Sequence, residues 1–237
     1  MAKFKKGMNV VQKKAIDYIN RFPEISTLNI LFLGDIVDGE NVYPSQAISA
    51  ECDALQQIDY GVNRFTLLLE RFDYSKINVF CVRGNHGRTS KFNSEKTNYD
   101  MMLYKQLANG FRKEEKYNFT IYNEWYGMAN ICNNTFMLHH GDTIKMYQSI
   151  PLYGIVQKNM RWLTGGLQDT YDAMIMGHFH TIYTMTWNDV KILLNGTMLT
   201  DDDFCQKMGL ISCNEFKLFG SERGNPIDWE YNISMYK

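Results

Sequence analysis

No apolar run in the chain approaches the ~20 residues that a membrane-spanning helix needs, and residues 1–11 carry lysines but no apolar core of signal-peptide length. Cysteine is sparse: Cys52, Cys81, Cys132, Cys205 and Cys213 make an odd number with no Cys-x-x-Cys pair. That argues against a disulfide framework and against a thiolate zinc knot. Reduced thiols and cytoplasmic residence are the expectation, so Asn-x-Ser/Thr matches at Asn118, Asn133, Asn195 and Asn232 would carry no glycan. Charge of one sign is also missing. With 25 Lys and Arg against 26 Asp and Glu, the net charge of -1 gives no whole-molecule attraction for polyanions. Any nucleic-acid binding would come from local basic stretches. Only four prolines are present, at 23, 44, 151 and 226, with no repeat, low-complexity stretch or Gly/Ser linker. The 237 residues, 45% of them hydrophobic, are therefore read as a single domain spanning 1–237 with a sizeable core.

Periodicity supplies the elements. Val10, Val11, Ala15, Ile16, Ile19 and Phe22 predict a helix over 8–22, closed by Pro23. The run Leu28–Leu33 reads as a strand buried on both faces. Residues 45–72 predict a long helix broken near Gly61, with Leu55, Ile58, Val62, Phe65, Leu68 and Leu69 packed. A second apolar strand follows at Ile77–Val82, and a third helix at Tyr99–Phe111. Short strands at 120–122, 128–131 and 135–138 suggest antiparallel sheet. A helix over 155–163, a strand at 173–176 and strands at 182–187, 190–194, 209–213, 215–219 and 229–233 complete an α/β pattern of two packed sheets with helices outside.

All five histidines fall in three short motifs: Arg83-Gly84-Asn85-His86, Leu138-His139-His140-Gly141-Asp142 and Gly177-His178-Phe179-His180. With Gly34-Asp35, these stand just past four expected strand ends, where ligand sites of α/β folds gather. Carboxylate, carboxamide oxygen and imidazole together form the donor set of a borderline divalent ion such as Mn²⁺, Fe²⁺ or Zn²⁺. Asp35 has two oxygens and could bridge two ions. His178 and His180 stand two apart on what is read as extended chain, so they leave on one side. His139, adjacent to His140, would point to the opposite face. Asp142 and the run Asp201–Asp203 read as loop carboxylates. Lys3, Lys5, Lys6, Lys13, Lys14, Arg83, Arg88, Lys91 and Lys96 read as solvated surface, with a basic rim for nucleic acid as the other reading. Tyr117, Phe119, Tyr122, Trp125 and Tyr126 are explained equally by sheet packing and by base stacking.

These motifs, in this order, resemble the calcineurin-like metallophosphoesterase family over residues 28 to about 200. The runs Gly84-Asn85-His86-Gly87-Arg88, Gly177-His178-Phe179-His180 and Asn195-Gly196-Thr197 look most like its phage and bacterial DNA-repair-exonuclease-like branch. The resemblance implies a four-layer α/β/β/α sandwich and in-line attack of metal-activated water on phosphorus. It makes Asp35 the bridging carboxylate, with Asn85, His140 and His178 as the other ligands of one metal and His180 a ligand of the second. It makes His86 a general acid or phosphate-binding group oriented by Asp38. Arg88 could neutralise a phosphate oxygen, with a solvated loop arginine as the other reading. Mn²⁺ is the ion expected first, then Fe²⁺, Zn²⁺ or Mg²⁺.

One family element has no counterpart. An Asp-x-His pair precedes the Gly-Asp strand in the family, whereas the acidic residues before Asp35 are Asp17 and Glu24, neither followed two positions later by His. The first strand is thus expected to be missing, and residues 3–9 look like the loop that follows it. On this reading about 15 residues are lost, or a second polypeptide or a homo-oligomer supplies the strand. The substrate expected is a phosphate ester, nucleic acid included, cleaved by a phosphodiesterase or nuclease. The alternatives are a phosphomonoesterase and a non-catalytic binding or regulatory protein of the same fold.

Overall fold

The computed structural model describes residues 2–43, 46–148, 150–198 and 212–236. The expected strand at 209–213 falls largely outside these residues, as do Cys205 and the Asp201–Asp203 run. The chain is mixed α/β, and its described part divides into two compact units.

The first unit, Met1–Tyr126 with Met235–Lys237, holds a three-stranded parallel sheet of order β1 (Thr27–Phe32), β2 (Lys76–Cys81), β3 (Tyr117–Ile121). Helix α1 (Ala2–Ile19) precedes β1. The loop expected at 3–9 is therefore helical. Gly7 lies within it with no room for a Cβ beside Met235, and Met8, Gln12 and Ile19 are buried. Residues 45–72 form two helices, α2 (Gln46–Ser49) and α3 (Ala54–Glu70), and the break lies at 50–53 instead of Gly61. The cause is local: the Asp53 side chain accepts from Gln56 N and the Gln56 side chain from Asp53 N, a capping box that starts a new helix. Gly61 stays helical and packs against Leu103, while Leu55, expected to be packed, is 69% exposed. Helix α4 (Tyr99–Phe111) matches its expected span.

Strand β3, expected to pair with the strands after it, instead runs parallel to β2, because α4 is the crossover connection between them. The core beneath this sheet includes Phe32, edge-on to Phe65 at 4.8 Å, with the fully buried Tyr104 donating to Val82 O at 3.2 Å. Asn29, Asn78 and Asn118 stand in register across the three strands. Asn78 Nδ2 donates to Asn29 Oδ1 at 2.9 Å and Asn118 Nδ2 to Asn78 Oδ1 at 3.4 Å. Strand β1 was expected to be buried on both faces, yet Thr27 to Leu31 are half-buried. Among the described residues no strand pairs with its outer edge.

The second unit, Gly127–Ser234, has a five-stranded sheet of order β4 (Tyr126–Ile131), β5 (Asn134–His139), β6 (Ala173–Met176), β8 (Val190–Leu194), β7 (Tyr183–Trp187), and an antiparallel pair, β9 (Glu215–Glu222) with β10 (Asn225–Ser234). Strands β5, β6 and β8 run parallel and β7 antiparallel to β8. Cys132 and Asn133, both at positive φ, make the two-residue turn of the β4–β5 hairpin. Helix α5 (Leu152–Arg161) lies between β5 and β6 and ends in a π-helical turn, Trp162–Gly166. Among the described residues no helix is long and apolar enough to cross a membrane, and Cys52, Cys81, Cys132 and Cys213 are free thiols.

Candidate metal centre

In the first unit the chain turns sharply after β1 and after β2, and the two turns pack backbone to backbone. Gly34, at φ 87°, has no room for a Cβ beside Gly84 N, and Gly84 none beside Asp35 N and Oδ1. Only glycine permits that approach at both positions. It brings Asp35 to the backbone of the second turn, where His86 N donates to Asp35 Oδ1 at 2.8 Å. Asp35 itself has φ 53°, a left-handed conformation uncommon outside glycine, asparagine and aspartate.

Asp100 locks both turns. Its Oδ2 accepts from Asp35 N (3.0 Å) and Gly84 N (2.9 Å), and its Oδ1 from Ile36 N (3.0 Å) and Val37 N (2.9 Å). The side chain is fully buried in the first turn of α4. Asn98, the helix cap, accepts from Asp100 N at 2.8 Å and donates to Gly84 O at 2.9 Å. Neither residue belongs to a metal motif; the signal for them was Asn98-Tyr99-Asp100 at the head of an apolar helix, which reads as ordinary capping.

His86 Nδ1 lies 2.6 Å from Asp38 Oδ1, as the resemblance implies. An Nδ1–H donated to that carboxylate leaves Nε2 as the exchangeable nitrogen. Tyr43, missed from sequence, packs its ring 4.8 Å from the His86 ring, and its hydroxyl accepts from Asn85 Nδ2 at 2.6 Å. Arg88, expected to meet phosphate, has Nη1 3.5 Å from Glu95 Oε1, while Arg83 Nη2 is 3.5 Å from Glu95 Oε2. Arg83 Nη1 also donates to Asn123 O at 2.6 Å, which makes Arg83 a structural cation of this loop.

In the second unit β5 and β6 lie side by side, with His139 paired in register to Met176, so both strands end at one level. His140 and His178 follow, and His178 Nδ1 is 3.3 Å from His140 Nε2, with the rings edge-on at 5.0 Å. Two imidazole nitrogens facing each other at that range can share a proton or converge on a cation. His178 and His180 were read as extended chain; both instead have left-handed backbones, φ 66° and 52°. Phe179 N donating to Gly177 O at 2.7 Å makes a tight turn centred on His178. His139 is completely buried against Trp162, and burial first, then the neighbouring His140, lowers its pKa to about 3, so it stays neutral.

The mixed α/β fold and these strand-end turns are those of the metallophosphoesterase class of proteins. The chain belongs to the calcineurin-like phosphoesterase family, whose family model matches residues 13–210. No curated protein matches it. Among solved structures, a novel archaeal phosphodiesterase is similar at 17% identity over 94% of this chain and 91% of that one (TM-score 0.43). Zinc-bound Vps29 of Entamoeba histolytica is 14% identical over 87% and 91% (TM-score 0.38). A hypothetical protein of Pyrococcus horikoshii is 10% identical over 97% and 83% (TM-score 0.47).

Proposed function

We propose that the protein is a metal-dependent phosphodiesterase, with nucleic acid among its substrates. The observation that carries this reading is the Asp38–His86 pair. An imidazole held by a carboxylate at 2.6 Å, next to the residue whose carboxamide is a ligand in the family, is a geometry suited to general acid catalysis.

The donors fit a divalent ion. Asp35, Asn85, His140 and His178 would hold one, predominantly Mn²⁺, with Fe²⁺, Zn²⁺ or Mg²⁺ as substitutes. Asp35 and His180 would contribute to a second. A bound ion supplies Lewis-acid charge for the phosphoryl oxygens and an acidified water. The remaining work falls to the chain. Asp38 holds His86 through Nδ1 and orients the ring, so that a proton on Nε2 is delivered to the departing oxygen. Arg88 exchanges Glu95 for a phosphate oxygen, where its planar fork binds two acceptors.

Purified protein with Mn²⁺ is expected to hydrolyse bis-p-nitrophenyl phosphate and a labelled single-stranded oligonucleotide. His86→Ala is expected to lose about 10²- to 10³-fold in kcat. Wild-type turnover no greater than that of His86→Ala overturns the reading, and preference for p-nitrophenyl phosphate makes the protein a monoesterase instead. Total failure to retain metal after dialysis would support the non-catalytic reading instead.

A further inference from the structure

We infer that Tyr43 is a positioning residue that couples the metal ligand Asn85 to the proton donor His86, with Gln46 as the clamp that holds it in place. The inference rests on the reading of Asn85 as a ligand. A carboxamide offers a cation one atom, its oxygen. With Oδ1 given to the ion, the –NH₂ of a side chain as buried as Asn85 needs an acceptor, since an unmet buried donor costs about 1–3 kcal/mol. Tyr43 Oη accepts from Nδ2 at 2.6 Å. With Tyr43 Oη on Nδ2, the oxygen, and not the nitrogen, is the atom left available to metal.

The same side chain meets the acid. Its ring lies 4.8 Å from that of His86 at an angle of 41°, on an imidazole already held by Asp38 through Nδ1. One tyrosine therefore restrains a ligand through its hydroxyl and a proton donor through its ring.

Tyr43 is 40% exposed, and an exposed tyrosine keeps such a position only if its backbone is fixed. Gln46 does this from a buried site. Its Oε1 accepts from both Val42 N and Tyr43 N at 2.8 Å, and its Nε2 donates to Asp38 O at 2.5 Å. Gln46 Nε2 also lies 3.3 Å from His86 Nδ1. With Nδ1–H given to Asp38, that approach is packing and not a hydrogen bond. The backbone from Asp38 to Tyr43 is thus wrapped on one carboxamide, so the orienting carboxylate and the phenol move together.

The test is calorimetric titration of the full chain with Mn²⁺, independent of turnover. Tyr43→Phe keeps the ring and removes the hydroxyl, and is expected to raise the Mn²⁺ Kd about tenfold, the lower end of what outer-shell changes cost metal sites. In an Asn85→Ala background the same change is expected to alter Kd by less than about twofold, because no carboxamide remains for the phenol to orient. Equal losses in the two backgrounds would mean a loosened fold and would overturn the inference, as would an unchanged Kd in Tyr43→Phe. Absence of Mn²⁺ binding by the wild type would instead overturn the ligand reading itself, and the inference with it.

Discussion

Four backbone N–H groups from two turns converge on the Asp100 carboxylate, which has no solvent to fall back on. Asp100→Ala leaves these donors unpaired beneath the candidate centre, and we expect about 3–5 kcal/mol less unfolding free energy in urea. A loss under about 1 kcal/mol would show that water replaces the carboxylate at little cost. At this scale the sequence was legible where chemistry depends on residue type in a short motif. Asp35, Asn85, His86, His140, His178 and His180 were singled out as candidates that way, and each follows the end of β1, β2, β5 or β6; the Asp38–His86 contact was expected from the resemblance. Asp100, Tyr43 and Gln46 act through partners 16 to 65 residues away, or through a turn geometry that no local pattern encodes. The left-handed backbone at His178 and His180 was missed for a related reason: alternation of side chains was assumed where the strand had already ended at Met176.

At the scale of elements, apolar periodicity located helices and strands but not their interruptions. The break placed at Gly61 followed from propensity alone; the actual break at 50–53 is set by the reciprocal Asp53–Gln56 cap. Asp53→Ala is accordingly expected to cost about 1 kcal/mol, visible as a lower denaturation midpoint with an unchanged denaturant dependence. Strand β1 shows the opposite limit. Its composition resembles an interior strand, and its half-burial reflects what lies beside it, which its own residues do not specify. The pairing of β3 with β2 was likewise decided by the intervening helix α4 and not by the spacing of the strands that follow.

For the whole molecule, the family assignment was legible because four motifs occur in order, whereas the division of the described residues into two compact units was not. Stability against acid is a property of the chain as a whole, and His139 contributes a defined part of it. Its folded pKa of about 3 lies below the ordinary 6.5, so the unfolded chain takes up a proton that the folded one refuses. Stability is therefore full above pH 6.5 and falls as the pH drops toward 3, by up to about 1.4 kcal/mol per pH unit. Urea titrations from pH 7 to pH 4 should show a shallower decline in His139→Leu than in the wild type. Parallel declines would mean that His139 is protonated in the native state.

The left-handed backbone at Asp35 has a consequence for how such a chain can change over time. Asparagine and glycine adopt that conformation at least as readily as aspartate, and each is reached from an aspartate codon by one base change. Either substitution would abolish the carboxylate while leaving the turn after β1 conformationally at ease. If Asp35 holds metal as proposed, a weakened or lost centre is thus a single mutational step away at this position, through replacements the backbone already accommodates.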